Sequence, residues 1–209
     1  MPEERELERL LASRFDGSEK DYSIYIRVLT ALGVGRGKKI LDFGCSWGYG
    51  SWQLMAAGFE VTAYEISKSR CEYAQKRLGI KAYSRREELE DGNFDVFFSA
   101  HVLEHVPSIS DVVEFGLNKL RSGGLFIAFT PNGSEAFRKR EPAAWRHLWG
   151  MVHPNFLDDR FYRGIFPNCL LASGPYDFSQ LGSWRSNPTP SMSENLIGSE
   201  LLVAYVKLP

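Results

Sequence analysis

Between residues 40 and 48 the chain reads Ile40-Leu41-Asp42-Phe43-Gly44-Cys45-Ser46-Trp47-Gly48, an apolar run that ends on an acid and breaks into small residues. A turn of small residues lets the backbone approach a ligand closely, because no Cβ or only a short side chain stands in the way. A second acid, Glu65, follows 21 residues after Gly44. A carboxylate at that remove from a glycine turn can accept both hydroxyls of a ribose. Of the four histidines, His101 and His105 lie on either side of Glu104, and His153 directly precedes Pro154. Imidazole titrates near neutrality and can take the proton from a hydroxyl, and a residue before proline is held extended, presenting its side chain. These residue types support nucleoside binding next to a proton acceptor.

Such residues work only if strands and helices aim them. The apolar pattern predicts a buried strand over 39–43, a helix over 52–57, a second strand over 59–64, and a helix capped by Ser67 whose face carries Cys71, Ala74 and Leu78 before Gly79 stops it. A weak third strand over 80–83 and a strong fourth over 94–99 follow. Ser108 and Asp111 form an S-x-x-D start signal for a helix carrying Val113, Leu117 and Leu120, and Gly123-Gly124 precedes a fifth strand over 125–129. Upstream, Leu7, Leu10 and Leu11 mark a short helix, and Ile24, Tyr25, Val28, Leu29 and Leu32 an amphipathic one. Alternation of this kind requires right-handed parallel crossovers with helices on both faces. In such a sheet ligands bind beyond the carboxyl ends of the strands, where strand order reverses.

Two ligand classes use that place. A dinucleotide turn wants G-x-G-x-x-G, and here Gln53 stands where the third glycine after Gly48 and Gly50 should be. The other class fits better. The 40–48 segment resembles the first motif of class I S-adenosylmethionine-dependent methyltransferases, hydrophobic-Leu-Asp-x-Gly-x-Gly-x-Gly, with Ser46 in place of the middle glycine. Phe94-Asp95-Val96-Phe97-Phe98-Ser99-Ala100-His101-Val102-Leu103-Glu104-His105-Val106 looks like the family's fourth strand and its Leu-Glu-His-Val exit, and Leu120-Arg121-Ser122-Gly123-Gly124-Leu125 is similar to its turn into the fifth strand. With Glu65, these motifs occur in family order over residues 38–132.

The resemblance implies an α/β, Rossmann-like, doubly wound and mostly parallel sheet of about seven strands, the last antiparallel, with a helical lid after the fifth. It also implies S-adenosylmethionine as cofactor and S-adenosylhomocysteine as product. Asp42 would face the methionine amino group or organise the turn, and Gly44, Cys45, Ser46 and Gly48 would admit the methionine part. Glu65, with Ile66 beside it, would hold the ribose, and Ser99, Ala100 and His101 would stand near the sulfonium. The acid that often meets the adenine is missing, since Tyr83-Ser84-Arg85 occupies its region. Ubiquinone-biosynthesis O-methyltransferases, which the fourth-strand exit resembles, carry Glu-x-x-Glu-His, able to hold a divalent ion. Here it reads His101-x-x-Glu104-His105, and no metal is assigned, because groups on one loop do not fix the directions of a coordination sphere.

The 209 residues carry a net charge of −1, with 44% apolar and 24% charged residues, which gives no electrostatic ground for a nucleic-acid or membrane partner. Three cysteines without paired spacing suggest reduced thiols, and an acidic start without an apolar core suggests a cytoplasmic protein. The expected organisation is one domain over 1–209: N-terminal helices (1–37), cofactor core (38–132), helical lid (133–168), and closing strands with a surface loop over 183–199 (169–209). The expected assembly is a monomer or homodimer.

Nine of the 28 aromatics fall between Trp145 and Trp184, and residues 132–168 hold six bases against four acids, so this cover is where the acceptor is sought, with an anionic group compatible. Trp145, Leu148, Trp149 and Val152 have the spacing of one packed helix face. The expected reaction is methyl transfer to a small molecule at a hydroxyl oxygen, with His105, His101 or His153 as base. The alternatives are a fold-keeping binding protein without turnover, and a protein or nucleic-acid methyltransferase. The latter is disfavoured by the balanced charge and by Ser99-Ala100-His101-Val102 where a base-reading motif would stand.

Overall fold

The computed structural model describes residues 3–148, 150, 153–193 and 196–209. Two helices, α1 (Glu4–Ala12) and α2 (Ser23–Ala31), precede the alternation β1 (Lys39–Phe43), α3 (Tyr49–Ala56), β2 (Glu60–Tyr64), α4 (Lys68–Leu78), β3 (Lys81–Tyr83), β4 (Phe94–Ala100), α5 (Ile109–Lys119), β5 (Leu120–Pro131). Short helices α6 (Glu135–Arg140), α7 (Pro142–Leu148) and α8 (Asp159–Ile165) occupy the stretch after β5 for which a helical lid is expected. Then come β6 (Leu170–Ser173), α9 (Phe178–Ser186), β7 (Ser191–Met192) and β8 (Glu200–Val206).

Among the described residues the strands form one eight-stranded sheet in the order β3-β2-β1-β4-β5-β8-β6-β7. β1 to β5 pair in parallel, while β8 lies antiparallel between β5 and β6. The expected sheet had about seven strands; the eighth is the two-residue β7 on β6, too short to leave a periodic signal. Chain order reverses between β1 and β4, so the turn after β1 sits at the switch point.

Period-2 alternation sends neighbouring residues into opposite cores. Leu41, Phe97 and Phe126 pack on one face with Val112, Val113, Tyr162 and Phe166. Ile40, Val96, Phe98, Ile127 and Phe129 pack on the other with Leu29, Leu54 and Trp184. The expected helix starts differ in detail. Ser108 caps α5 by accepting from the Asp111 N–H. Ser67 occupies the start of α4 without a side-chain cap, its Oγ lying 3.1 Å from Ser69 Oγ.

Three further boundaries moved. β5 runs back through Gly123-Gly124 to Leu120, with a register shift opposite Phe94 and Val96. The helix expected from residue 52 begins at Tyr49, and the loop expected over 183–199 holds the end of α9 and all of β7. Trp149 and Val152 of the expected helix face lie outside the described residues. The lid aromatics serve largely as packing. Tyr162 and Phe166 are fully buried, Phe166 stacks on Tyr205 at 4.6 Å, and Trp145 meets Phe156 edge-on at 4.9 Å. The lid bases are mostly matched: Lys139 and Arg160 with Glu135, Arg140 with Glu141, Arg163 with Asp159.

Candidate active site

The turn after β1 is built on positive backbone angles: φ is 87° at Gly44, 51° at Ser46 and 84° at Gly48. A glycine is therefore the natural residue at position 46, and a serine there sits in a left-handed conformation disfavoured by about 1–2 kcal/mol. The turn is held by the Gly44 and Cys45 N–H groups donating to the Tyr64 carbonyl at 2.8 and 3.0 Å, and by the Ser46 N–H donating to Glu65 Oε2 at 2.9 Å. Glu65, buried at the end of β2, also accepts at Oε1 from the Ser67 N–H at 2.9 Å. Each oxygen keeps a second lone pair, so the carboxylate ties the two turns together and can still accept from a ligand.

These turns open into a cleft of about 520 Å³ lined by Phe43, Gly44, Ser46, Tyr64, Glu65, Ile66, Arg70, Arg86, His101, Val102, His105, Val106 and Pro107. Ile66 is 79% exposed at its edge, an apolar side chain left unpacked beside a buried acid. Arg86 lies over the rings of Phe43, Tyr64 and Phe115 at 5.2, 5.7 and 5.0 Å. A neighbouring cleft of about 300 Å³, lined by Glu19, Lys20, Asp21, Tyr22, Tyr25, Cys45, Ser46, Trp47, Tyr49, Gly50, Ala100 and His101, shares Ser46 and His101 with the first. A third, of about 520 Å³ under the lid, shares no lining residue with either.

Gly44, Cys45, Ser46, Glu65, Ile66, Ala100, His101 and His105 thus converge on two joined clefts. Asp42, Gly48 and Ser99 stand behind the walls. Asp42 is buried and accepts from Ser51 Oγ at 2.5 Å, so it ties β1 to α3. Burial pushes its carboxyl up to about 6, against the Ser51 hydrogen bond. Gly48 lies where a Cβ would come 2.7 Å from Ala74 Cβ, so it serves the approach of α3 to α4. Ser99 is fully buried, its Oγ without a hydrogen-bond partner among the described residues. His153 packs against His105 with ring centroids 4.8 Å apart and bonds the Leu148 carbonyl through Nδ1.

Glu104, His105 and His153 bring one oxygen and two nitrogens within 4.8 Å, a donor set of the size a cation needs. The buried Glu104 Oε1 also lies 3.4 Å from His101 Nδ1 and 3.9 Å from His105 Nε2. The group accordingly reads as a carboxylate among histidines, and no metal is assigned to it. The sequence reading missed Tyr22, Tyr25, Tyr176, Arg86 and Glu200. Glu200 accepts from Tyr25 OH at 2.6 Å and Tyr176 OH at 2.8 Å, and its Oε2 is 2.8 Å from His101 Nε2. The one available signal for Glu200 was an acid at the head of the apolar run 201–204.

Comparison with known proteins agrees with this geometry. Residues 41–128 match the family described as "Methyltransferase domain". The ubiquinone biosynthesis O-methyltransferase of Azotobacter vinelandii is 28% identical over 163 residues, 71% of this chain. The matched region spans 62% of that relative's length. Among solved structures, a SAM-dependent methyltransferase from Archaeoglobus fulgidus aligns over 95% of this chain and 98% of its own, at 13% identity and a TM-score of 0.62. Geranyl diphosphate C-methyltransferase from Streptomyces coelicolor A3(2) aligns over 89% and 80%, at 12% identity and a TM-score of 0.61. At such identities the likeness is one of fold. Together, the match over residues 41–128, the relatives and the sheet order make this chain similar to S-adenosylmethionine-dependent methyltransferases in fold and in the sequence of its central strands.

Proposed function

We propose that this chain binds S-adenosylmethionine across the two joined clefts and transfers its methyl group to a hydroxyl oxygen of a small-molecule acceptor. The observation that carries the reading is the convergence of Gly44, Ser46, Glu65, Ile66 and His101 at the carboxyl ends of β1, β2 and β4. The donor set suits the cofactor: a buried carboxylate with spare lone pairs for ribose hydroxyls, an exposed isoleucine for an aromatic base, and a turn of small residues for the amino-acid part. In this reading the nucleoside occupies the larger cleft and the amino-acid part the smaller. The shared residues Ser46 and His101 then mark the place between them.

When bound, the cofactor supplies an electrophilic methyl on a sulfonium, which becomes a neutral thioether as the acceptor oxygen gains the methyl. The protein's task is to align the acceptor oxygen at about 3–3.5 Å, which can supply much of the rate. His105 is the base of this reading. It lines the larger cleft and is 46% exposed, so it can take the hydroxyl proton, an effect worth about 10²–10⁴-fold. His101 faces a carboxylate at each ring nitrogen, and His153 is bonded to backbone through Nδ1. Three buried, free cysteines accord with a cytoplasmic setting.

Glu65→Ala is expected to weaken S-adenosylhomocysteine at least about tenfold in calorimetry, the loss of a charge-assisted hydrogen bond. Unchanged affinity in the folded variant would remove Glu65 from the site. The acceptor is to be found by incubating the protein with methyl-labelled S-adenosylmethionine and a metabolite extract, then identifying labelled products by mass spectrometry. A labelled hydroxyl is the expected result. Label on nitrogen or carbon would overturn the oxygen assignment, and cofactor binding without any labelled product would favour a binding protein without turnover.

A further inference from the structure

At the junction of the two clefts stands a charged cluster that the transfer chemistry above leaves unused. His101 leaves β4 with a left-handed φ of 55°, pinned by its N–H donating to the Phe129 carbonyl at 2.8 Å. Its Nε2 is held by Glu200 Oε2 at 2.8 Å, and its Nδ1 faces Glu104 Oε1 at 3.4 Å, an ion-pair distance at which neither Glu104 oxygen has a hydrogen-bond partner among the described residues. Glu200 collects donors from three parts of the fold: Tyr25 on α2, His101 after β4, and Tyr176 in the segment between β6 and α9. Glu104 is fully buried, and around it lie His101, His105, His153 and Tyr162.

A neutral imidazole has one protonated nitrogen and one lone pair, so set between two carboxylates it would turn the lone pair against one of them. Only the doubly protonated ring satisfies both. We propose that Glu200 is a positioning residue which, with Glu104, holds His101 as a cation at the junction, so that the three groups carry one net negative charge and favour the sulfonium cofactor over its neutral thioether product. The inference rests on the cofactor reading given above. Burial works against the charge on His101, yet the two carboxylates outweigh it and raise the imidazole to about 9. Burial likewise opposes the charge on Glu200, and the hydrogen bonds from His101, Tyr25 and Tyr176 hold its carboxyl below the ordinary range. As a doubly protonated ring, with Nε2 bonded to Glu200 and Nδ1 facing Glu104, His101 has no lone pair for an acceptor proton. A site that prefers the charged cofactor also releases the neutral product readily.

The test is calorimetric titration at pH 7.5 of the full chain and of Glu200→Gln with S-adenosylmethionine and with S-adenosylhomocysteine. The unaltered protein is expected to bind the sulfonium about tenfold more tightly than the thioether, the effect of one charge at short range near a protein surface. Glu200→Gln, with His101 still protonated against Glu104, leaves the cluster without net charge and is expected to bring the two affinities within about threefold of each other; the His101 ring nitrogens of the variant, read by NMR, show that the proton is kept. A protein that binds neither ligand contradicts the cofactor reading itself. Binding of both, with a ratio that Glu200→Gln leaves unchanged, contradicts the assignment to Glu200 alone. Should the variant not fold, the ring nitrogens of His101 in the unaltered protein decide, observed by NMR with His101→Gln for assignment. Two protonated nitrogens at pH 7.5 are expected, and a neutral ring there overturns the proposal.

Discussion

Asp42 illustrates how one side chain can serve the proposed site from behind its wall. It is 2% exposed, pinned by Ser51, and its carboxyl is raised to about 6 by burial. A carboxyl raised in the folded state favours folding while protonated, and that advantage is lost as pH rises from the ordinary value of 3.8 through about 6. Asp42→Asn, which keeps an acceptor for Ser51 and removes the buried charge, is therefore expected to gain roughly 1–3 kcal/mol over the parent between pH 4 and pH 8. Urea denaturation at the two pH values checks this, and a difference independent of pH would contradict it. The place of residues set by a local turn was legible: Gly44 and Ser46 after β1, and Glu65 and Ile66 after β2, line the larger cleft. Glu200 was not, because its partner His101 lies 99 residues away and only strand pairing brings them together.

That pairing belongs to the elements. β8 enters antiparallel between β5 and β6, with Glu200 opposite Pro131, and so delivers an acid to the carboxyl end of a parallel sheet. The alternation of strands and helices up to residue 129 was readable because apolar period and turn residues agree there. β7 was beyond reading with two residues, and α9 because serine and glycine break its pattern while Leu181 and Trp184 alone are buried. The sequence marks α1 and α2 only as helices, and the place of α2 is more specific. The Tyr22 ring lies against Gly50 so closely that a Cβ there would come within 2.2 Å of it. Gly50→Ala is expected to displace Tyr22 and cost about 1–3 kcal/mol of stability, the usual range for overpacking. Chemical denaturation measures it, and an unchanged midpoint would show that α2 does not press on α3.

Over the whole molecule, the aromatic content noted in the sequence divides between core and site. The lid rings mostly fill the face beneath β5 and β8, whereas Tyr22, Tyr25, Trp47 and Tyr49 line the smaller cleft. The two clefts proposed for the cofactor are thus assembled from the segment leading into α2, α2 itself, and the turns after β1, β2 and β4, with the head of β8 behind His101. Binding of the cofactor is expected to stabilise these elements as a unit. The most direct test is thermal unfolding of the full chain with and without S-adenosylhomocysteine. At about 100 times the dissociation constant the ligand adds roughly 2.7 kcal/mol, a rise in midpoint of roughly 5–10 °C for a domain of this size. A midpoint unmoved at millimolar ligand would contradict the assignment of these clefts to the cofactor.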